Sequence, residues 1–188
     1  MTKDVAFLNN QFLIAMPAMS DPNFAHTVTL VCQHNADGAL GIVINRTVDL
    51  TVGDVLKQME IPSAQSRHTP QPVHYGGPVQ IDRGFILHQE LGNWDSTLEI
   101  NDHIGLTTSR DILEAMARNE GPDRSLVALG YAGWGSGQLE KEITENAWLS
   151  GPADYDVIFN TPLEQRWMAA AQVLGVDMSL MSSEAGHA

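Results

Sequence analysis

Basic charge is scarce in this chain. Its 188 residues carry 10 Lys and Arg against 23 Asp and Glu, which gives a formal net charge of −13. No cluster of Lys or Arg occurs anywhere along the sequence. Nucleic acids and anionic lipid surfaces attract proteins through basic charge. We therefore expect no direct binding to DNA and no membrane association.

Cysteine and long apolar runs are also lacking. The one cysteine, Cys32, allows no intramolecular disulfide and no zinc site built from several thiolates. It follows the apolar residues 28–31, which predicts a buried structural thiol. A basic and then apolar N-terminal signal is absent, and no apolar run reaches transmembrane length. These absences favour a reducing cytoplasm as the location.

The composition that remains is typical of a globular protein. Hydrophobic residues make up 43% of the chain and charged residues 18%, which argues against disorder. A chain of this length can bury one sizeable core, so we expect a single domain over residues 1–188. Residues 61–72 are polar and punctuated by proline, and we expect a mobile loop there.

Residue patterns predict a sheet with helices packed against it. β-Branched and apolar runs on either side of Asp37-Gly38 predict a hairpin over residues 27–45. Thr51 and Asp54 have capping-box spacing and open a helix. Further strands are expected at residues 11–16, 73–75, 84–88, 96–100, 104–107, 125–131 and 156–160, and further helices after Thr108 and over 138–146 and 163–174. Because strands and helices do not alternate regularly, a mixed sheet is favoured over a doubly wound parallel one.

A glycine-rich segment, GYAGWGSG at residues 130–137, is the most unusual part of the sequence. So many glycines indicate a backbone that turns sharply, approaches another chain segment closely or adopts positive φ. Tyr131, Trp134 and the downstream Trp148 either frame a partly exposed apolar groove or pack in the core. We expect a groove, with Gln138 at the start of the following helix. Because tryptophan often dominates binding energy at interfaces, we expect Trp134 to matter more for partner binding than for folding.

A second glycine motif, GGPVQIDRG at residues 76–84, allows two interpretations. Gly76 and Gly77 form either a tight turn or an anion-binding nest with Arg83 as its anchor. Asp82 and histidines at predicted strand ends, His88 among them, are candidates for a polar site with Arg83. Their spacing matches no known metal-binding motif, so no metal ligands are assigned.

The sequence contains no recognisable catalytic motif. Ser136 has glycine at the positions directly before and after it, whereas a nucleophile elbow needs glycine two positions away on each side. Neither a P-loop nor a dinucleotide-binding fingerprint is present. We therefore assign no catalytic residues and expect no cofactor.

Several longer motifs together resemble one family. They are QFLIAMP, GALGIVIN, GGPVQIDRGFILH, GYAGWGSGQLEKEITENAWL followed by PAD, and the C-terminal AGHA. Over nearly the whole chain they are similar to the AlgH/YqgE family of bacterial cytoplasmic proteins. The resemblance implies an α+β fold, an α/β sandwich with a mixed, largely antiparallel and branched sheet flanked by helices. It also implies an association with regulation, including that of alginate, with no agreed catalytic activity, cofactor or DNA-binding module.

These observations predict a non-enzymatic regulatory module. It binds an unknown partner protein through an apolar groove near the glycine-rich segment. The candidate binding residues are Tyr131, Trp134, Gln138, Trp148, Gly76, Gly77, Arg83 and His88. The alternative is a small-molecule-binding protein or an enzyme that uses Asp82, Arg83 and nearby histidines.

Overall fold

The computed structural model describes residues 6–185, which form ten strands and six α-helices. The strands are β1 (Gln11–Ala15), β2 (Val28–Asn35), β3 (Gly38–Val43), β4 (Thr47–Thr51), β5 (Pro72–Tyr75), β6 (Val79–Gln89), β7 (Thr97–Glu99), β8 (Ile104–Thr107), β9 (Ser125–Gly135) and β10 (Trp148–Pro152). The helices are α1 (Val52–Gln58), α2 (Arg110–Ala117), α3 (Gln138–Thr144), α4 (Tyr155–Phe159), α5 (Arg166–Val173) and α6 (Met178–Ala185), and a 3₁₀ turn (Leu163–Gln165) precedes α5.

The strands form one branched sheet that divides at β9. Its main path runs β10-β1-β2-β3-β9-β6-β8-β7, and β4 and β5 form a side branch. Early in β9, His74 of β5 lies opposite Ala128, and later Gly41 of β3 lies opposite Ala132. The β5–β9 pair is parallel and the other pairings within the described chain are antiparallel. The expectation of a mixed, largely antiparallel, branched sheet is confirmed.

Helices cover both faces of this sheet because side chains alternate along each strand. Phe85 and Leu87 of β6 pack on one face, in a core that includes residues of α4, α5 and α6. Ile86 points to the opposite face and packs in a second core with residues of α1 and α2. A third core joins α3 to β1, β9 and β10. The fold is therefore the expected α/β sandwich.

The two glycine motifs of the sequence lie directly against each other. Gly76 N–H donates to the Leu129 carbonyl at 2.9 Å. A Cβ atom on Gly76 would collide with the Gly130 carbonyl, and one on Gly77 would collide with the backbone of Tyr131. Gly77 and Gly130 also have φ angles of 155° and 76°, which favour glycine. Glycine is required here because two backbones touch where the sheet branches.

Several local predictions are confirmed. Thr51 and Asp54 form the reciprocal capping box, with side-chain-to-backbone distances of 3.2 and 2.9 Å. Strands β2 and β3 form the hairpin around Asp37, and Cys32 of β2 is 3% exposed. Burial raises the pKa of the Cys32 thiol, so its low reactivity remains the expectation.

Two element assignments are wrong. The strand predicted over residues 125–131 does not end there in a turn, because β9 continues through residues 132–135, where four residue pairs join it to β3. Pairing between distant segments overrides the local signal of the glycines there. Tyr155–Phe159 is a helix rather than a strand, and the Asp154 side chain caps it by accepting from Val157 N–H at 3.2 Å.

The segment 61–72 is anchored to the helices beside it. Ser66 Oγ donates to the Met116 carbonyl at 2.9 Å, and Asn119 contacts the segment through two hydrogen bonds, to Gln65 and Arg67. Gly53 N–H of α1 donates to the Thr69 carbonyl at 3.0 Å. The mobility expected for this segment remains a prediction.

The first testable prediction concerns the contact between the glycine motifs. We expect Gly77→Ala to lower the free energy of unfolding by at least about 2 kcal/mol, because the new methyl group combines backbone strain with overlap. Gly84→Ala is the matched control, since a Cβ there meets nothing within 4 Å and its φ is ordinary. It should change stability by less than about 0.5 kcal/mol. Urea unfolding measures both variants, and equal midpoints would contradict the structural role of Gly77.

Candidate functional site

A shallow groove lies on the sheet face that also carries α4, α5 and α6. It is mainly apolar toward β8 and β7, whereas Gln33, Asn35 and Asp37 line its end at the β2–β3 hairpin. Its floor is formed by Leu40 of β3, Tyr131 of β9, Phe85 of β6 and Leu106 of β8. It consists of two cavities of about 410 and 420 Å³ that meet at Leu40 and Tyr131. We call it the Tyr131 groove. It runs from the tip of the β2–β3 hairpin across the sheet to Leu98 of β7.

A bulge in β6 shapes one wall of this groove. Val79 lies opposite Tyr131 and Gly84 lies opposite Leu129, so residues 80–83 of β6 face the single Gly130 of β9. The surplus residues leave the plane of the sheet, and this places Arg83 beside the groove. A side chain at position 130 would press on the bulge, because a Cβ there lies 3.3 Å from Ile81 Cα.

Arg83 is the basic residue that lines the Tyr131 groove. Its guanidinium carbon lies 5.5 Å from the centre of the Phe85 ring, within the range of a cation–π contact. Nη1 donates to Gln80 Oε1 at 3.4 Å. Within the described part of the chain, no carboxylate lies within 4 Å of this guanidinium. Its charge is therefore available to a bound molecule.

Tyr131 contributes an aromatic surface to the floor. Its ring packs edge-on against Phe85, with 5.5 Å between the ring centres. Gly133, the next residue on the same face of β9, has no side chain to cover this ring. Glycine at 133 thus keeps the groove open, which is a different role from that of Gly130.

The structure brings Arg83 and Tyr131 together and places the other candidate residues elsewhere. Gly76 and Gly77 support β9 at the branch of the sheet and do not line the groove. Gln138 lies outside it at the start of α3, where its Oε1 accepts from Gly135 N–H at 3.0 Å.

The expectation that Trp134 and Trp148 offer exposed surface is wrong. They are 6% and 3% exposed, and their rings lie 6.1 Å apart. Phe24 completes the cluster, 6.2 Å from Trp134 and 5.5 Å from Trp148. Alternation along β9 sends Trp134 to the face opposite Tyr131, toward the core beneath α3. At most its edge reaches one end of the groove.

His88 is fully buried, so its assignment to an accessible binding site is also wrong. A carbonyl can only accept, so Nδ1 donates to the Glu90 carbonyl at 2.9 Å. In a neutral ring with this tautomer, Nε2 accepts from Thr107 Oγ1 at 2.7 Å. Burial lowers the pKa of His88 and supports that state.

The alternative prediction of a polar site formed by Asp82, Arg83 and nearby histidines is not supported, because no histidine lies with these two residues. Neither the Tyr131 groove nor the cavity that contains Asp82 is lined by a histidine. His34 instead pairs with Glu140 at 2.5 Å, and His74 pairs with Arg166 at 3.1 Å. Among the residues that the structure describes, no three His, Cys, Asp or Glu side chains are grouped to hold a metal ion.

A separate, more enclosed cavity of about 500 Å³ lies on the opposite face of β6, beneath α1 and α2. Its walls are mainly apolar and include Val55, Met59 and Leu113. Arg83 and Thr108 line both this cavity and the Tyr131 groove. We call it the α1–α2 cavity.

Sequence reasoning did not identify most of the groove floor. Leu40, Phe85, Leu98 and Leu106 are apolar residues that reasoning from sequence assigned to strands without a role. The available signal was alternation, since Leu40, Phe85 and Leu106 each lie on the same face as a core residue two positions away in the same strand. Only the pairing of β3, β9, β6 and β8 brings them together.

Known proteins resemble this chain over most of its length. The family model described as AlgH-like matches residues 12–179.

The chain belongs to the AlgH-like family.

Relatives cover nearly the entire chain. A UPF0301 protein from Thioalkalivibrio sulfidiphilus is 60% identical over 179 residues, which are 95% of this chain and 96% of that protein. A UPF0301 protein from Methylococcus capsulatus is 58% identical over 187 residues, with complete coverage of both chains. The resemblance drawn from the sequence is therefore confirmed.

Solved structures share the fold. The solution structure of the AlgH protein from Pseudomonas aeruginosa has a TM-score of 0.79 and 48% identity, with 100% of each chain covered. A protein from Corynebacterium diphtheriae has a TM-score of 0.75 at 20% identity, with 97% of this chain and 94% of that chain covered, and it supports the fold alone. In the part of the AlgH-like chain that the structure describes, no helix is long and apolar enough to cross a bilayer.

The second testable prediction follows from the burial of Trp134. We expect Trp134→Ala to lower the free energy of unfolding by about 3–5 kcal/mol, because it opens a cavity in a packed aromatic cluster. Ile81→Ala, at a position where the side chain is 60% exposed, should change it by less than about 0.5 kcal/mol. Chemical denaturation compares the two, and a small loss for Trp134→Ala would contradict its place in the core.

The third prediction concerns the stability of the protein in acid. Burial and the neighbouring charge of Arg166 lower the pKa of His74 from 6.5 to about 4. The unfolded chain therefore binds a proton more readily between these pH values, so stability is full above pH 6.5 and falls as the pH drops toward 4. His74 alone should account for about 3 kcal/mol of this loss.

This prediction for His74 is tested by measuring the free energy of unfolding at several pH values between 4 and 7. His74→Gln should give a shallower dependence on pH than the wild-type chain, whatever its absolute stability. His103→Gln removes an exposed imidazole and is the control. An unchanged slope for His74→Gln would show that His74 is not neutral in the folded protein.

Proposed function

We propose that this AlgH-like protein is a non-enzymatic regulatory module that binds a partner protein through the Tyr131 groove. The observation that carries the proposal is a groove with partly exposed apolar side chains beside an arginine without a carboxylate partner. Leu40 and Tyr131 are half-buried, Phe85 is buried in the floor, and Arg83 stands at the edge. Burial of exposed apolar surface lowers the free energy, and patches of such surface often mark interaction sites in soluble proteins.

The shape of the groove supports a polypeptide occupant. Two cavities in line, each about 400 Å³, cross neighbouring strands and stay shallow along their length. A partner segment can place successive apolar side chains into them. Ile81, exposed at 60% on the adjoining bulge, extends the apolar surface beyond the groove itself.

The chemistry of the edge defines what that segment carries. The Arg83 guanidinium is held by Phe85 and Gln80, so it is positioned before a partner arrives. A carboxylate or a backbone carbonyl of the partner satisfies its free donors. The occupant is thus a segment with apolar residues next to an acceptor, and any regulatory effect passes through that partner.

The fourth prediction tests this surface by site-specific photocrosslinking in cells. A benzoylphenylalanine residue in place of Gln80 should crosslink a discrete partner, because Gln80 lines the groove. Charge reversal by Arg83→Glu in the same chain should reduce the crosslinked product at least about tenfold, since it turns a favourable contact into a repulsive one. Both changes lie at exposed positions and leave the core intact.

Two controls make the experiment decisive. The crosslinker in place of Val173, an exposed residue of α5 outside the groove, should give no such product. Arg118→Glu makes the same change of charge at another exposed arginine and should leave the Gln80 product unchanged. Equal yields with Arg83→Glu and Arg118→Glu, or no product at Gln80, would overturn the proposal.

A second candidate function is binding of a small apolar ligand, and the α1–α2 cavity favours it. This cavity of about 500 Å³ is large enough for a drug-sized molecule and is mainly apolar. Anilinonaphthalene sulfonate is a suitable probe because it joins an apolar body to one anionic group. Val55→Phe, which fills the cavity, should weaken its binding, whereas Tyr131→Ala, at a residue that lines the groove and not this cavity, should not.

Two further parts of the proposal rest on the composition. We propose that the protein acts in the cytoplasm. Because its net charge is −13, we also propose that it does not bind DNA itself. A salt-sensitive mobility shift of DNA by the purified protein would contradict the second statement.

A further inference from the structure

A further cavity, which shares no lining residue with the Tyr131 groove, contains the half-buried cation of Arg166. It has a volume of about 380 Å³ and lies between β5, the start of β9 and the segment that joins α4 to α5. Its polar lining residues are Gln71, His74, Ser125, Asn160, Thr161 and Arg166. No acidic side chain occurs among the described residues that line it.

Arg166 has only neutral partners in this cavity. Its Nε donates to the Thr161 carbonyl at 2.9 Å, and its Nη1 donates to the Ile44 carbonyl and to His74 Nε2. Because a guanidinium N–H can only donate, His74 Nε2 accepts this hydrogen bond. The His74 ring is therefore neutral and does not balance the positive charge of Arg166. The two N–H groups of Nη2 have no hydrogen-bond partner in the described part of the chain.

An unsatisfied hydroxyl lines the same cavity. Ser125 Oγ is buried, and no acceptor or donor among the described residues lies within hydrogen-bond distance of it. A buried polar group without a partner costs free energy, so such groups are rare unless a bound molecule satisfies them. The free donors of Arg166 and the hydroxyl of Ser125 are two independent observations at one place.

We propose that this cavity is a binding site for an oxyanion, a phosphate or carboxylate group, held by Arg166 and Ser125. The guanidinium supplies charge and a fork of donors that matches such a group, and the hydroxyl supplies one further donor. Glu164 and Asp156 are close in sequence but do not line the cavity, and the Asp156 side chain is already bound by Asn160 at 2.6 Å. The site is independent of the function proposed for the Tyr131 groove.

The fifth prediction is a saturable response of Arg166 to anions. The full-length protein is titrated with inorganic phosphate, and separately with acetate, at constant ionic strength. The NMR signal of Arg166 Nε–H reports binding, and sodium chloride is the reference. Saturation by phosphate assigns a phosphate group, saturation by acetate assigns a carboxylate group, and no saturation by either anion overturns the proposal.

Two variants separate binding from a structural role. Ser125→Ala removes an unsatisfied hydroxyl, so the free protein should stay folded and equally stable, while anion affinity should fall about 2- to 10-fold. Arg166→Gln should lower affinity at least about tenfold, and if it prevents folding, Ser125→Ala alone decides. Arg118→Gln removes an exposed charge elsewhere and should leave affinity unchanged. Affinity that is equal in Ser125→Ala and wild-type protein would remove Ser125 from the site and overturn the proposal.

Discussion

The contact of two glycine-bearing backbones is the constraint on which this fold depends. Gly76 and Gly77 touch Gly130 and Tyr131 at the position where β9 exchanges one neighbouring strand for another. Side chains at these positions would separate the strands, because no space exists for a Cβ on Gly76 or Gly77. Two motifs that are more than 50 residues apart in sequence are therefore one structural unit. The branch, and with it the placement of helices on both faces, follows from that unit.

The Tyr131 groove is a direct product of the same contact. Gly130 takes the left-handed conformation beneath the bulge in β6, and this is what leaves Arg83 beside the sheet rather than within it. Beyond Gly130 the strand continues, so Tyr131 and Gly133 face the groove while Trp134 faces the core. The segment that carries the glycines thus packs into the core on one face and lines the proposed binding groove on the other.

The sequence predicts local features of this fold well and non-local ones poorly. The capping box at Thr51 and the end of the helix predicted over residues 163–174, where Gly175 has a φ of 75°, depend on a few neighbouring residues and are confirmed. The strand character of residues 132–135 depends on pairing with β3, nearly 100 residues away, and it was missed because glycine disfavours strands locally. The burial of Trp134 follows from that pairing. The wrong assignment of this one segment therefore put the predicted binding site in the wrong place. Arg83 and Tyr131 were found because glycine motifs indicate the close approach that creates the groove.

The chain is acidic overall, so an arginine without a carboxylate partner needs a physical explanation. With 23 acidic residues against 10 basic ones, carboxylate partners are plentiful, and Arg67, Arg110 and Arg118 each have one. Arg46 and Arg124 have none, but both Nη atoms of Arg46 donate to carbonyls of the turn at residues 22–25, at 2.6 and 2.7 Å, and Arg124 lines none of the cavities described above. Arg83 and Arg166 differ because each lines a cavity and keeps free donors there. Surrounding negative charge raises the cost of bringing a further anion near, so a site for one needs a cation that no carboxylate of the protein neutralises. Arg83 and Arg166 meet that condition at separate places, which is why the two sites can be tested independently.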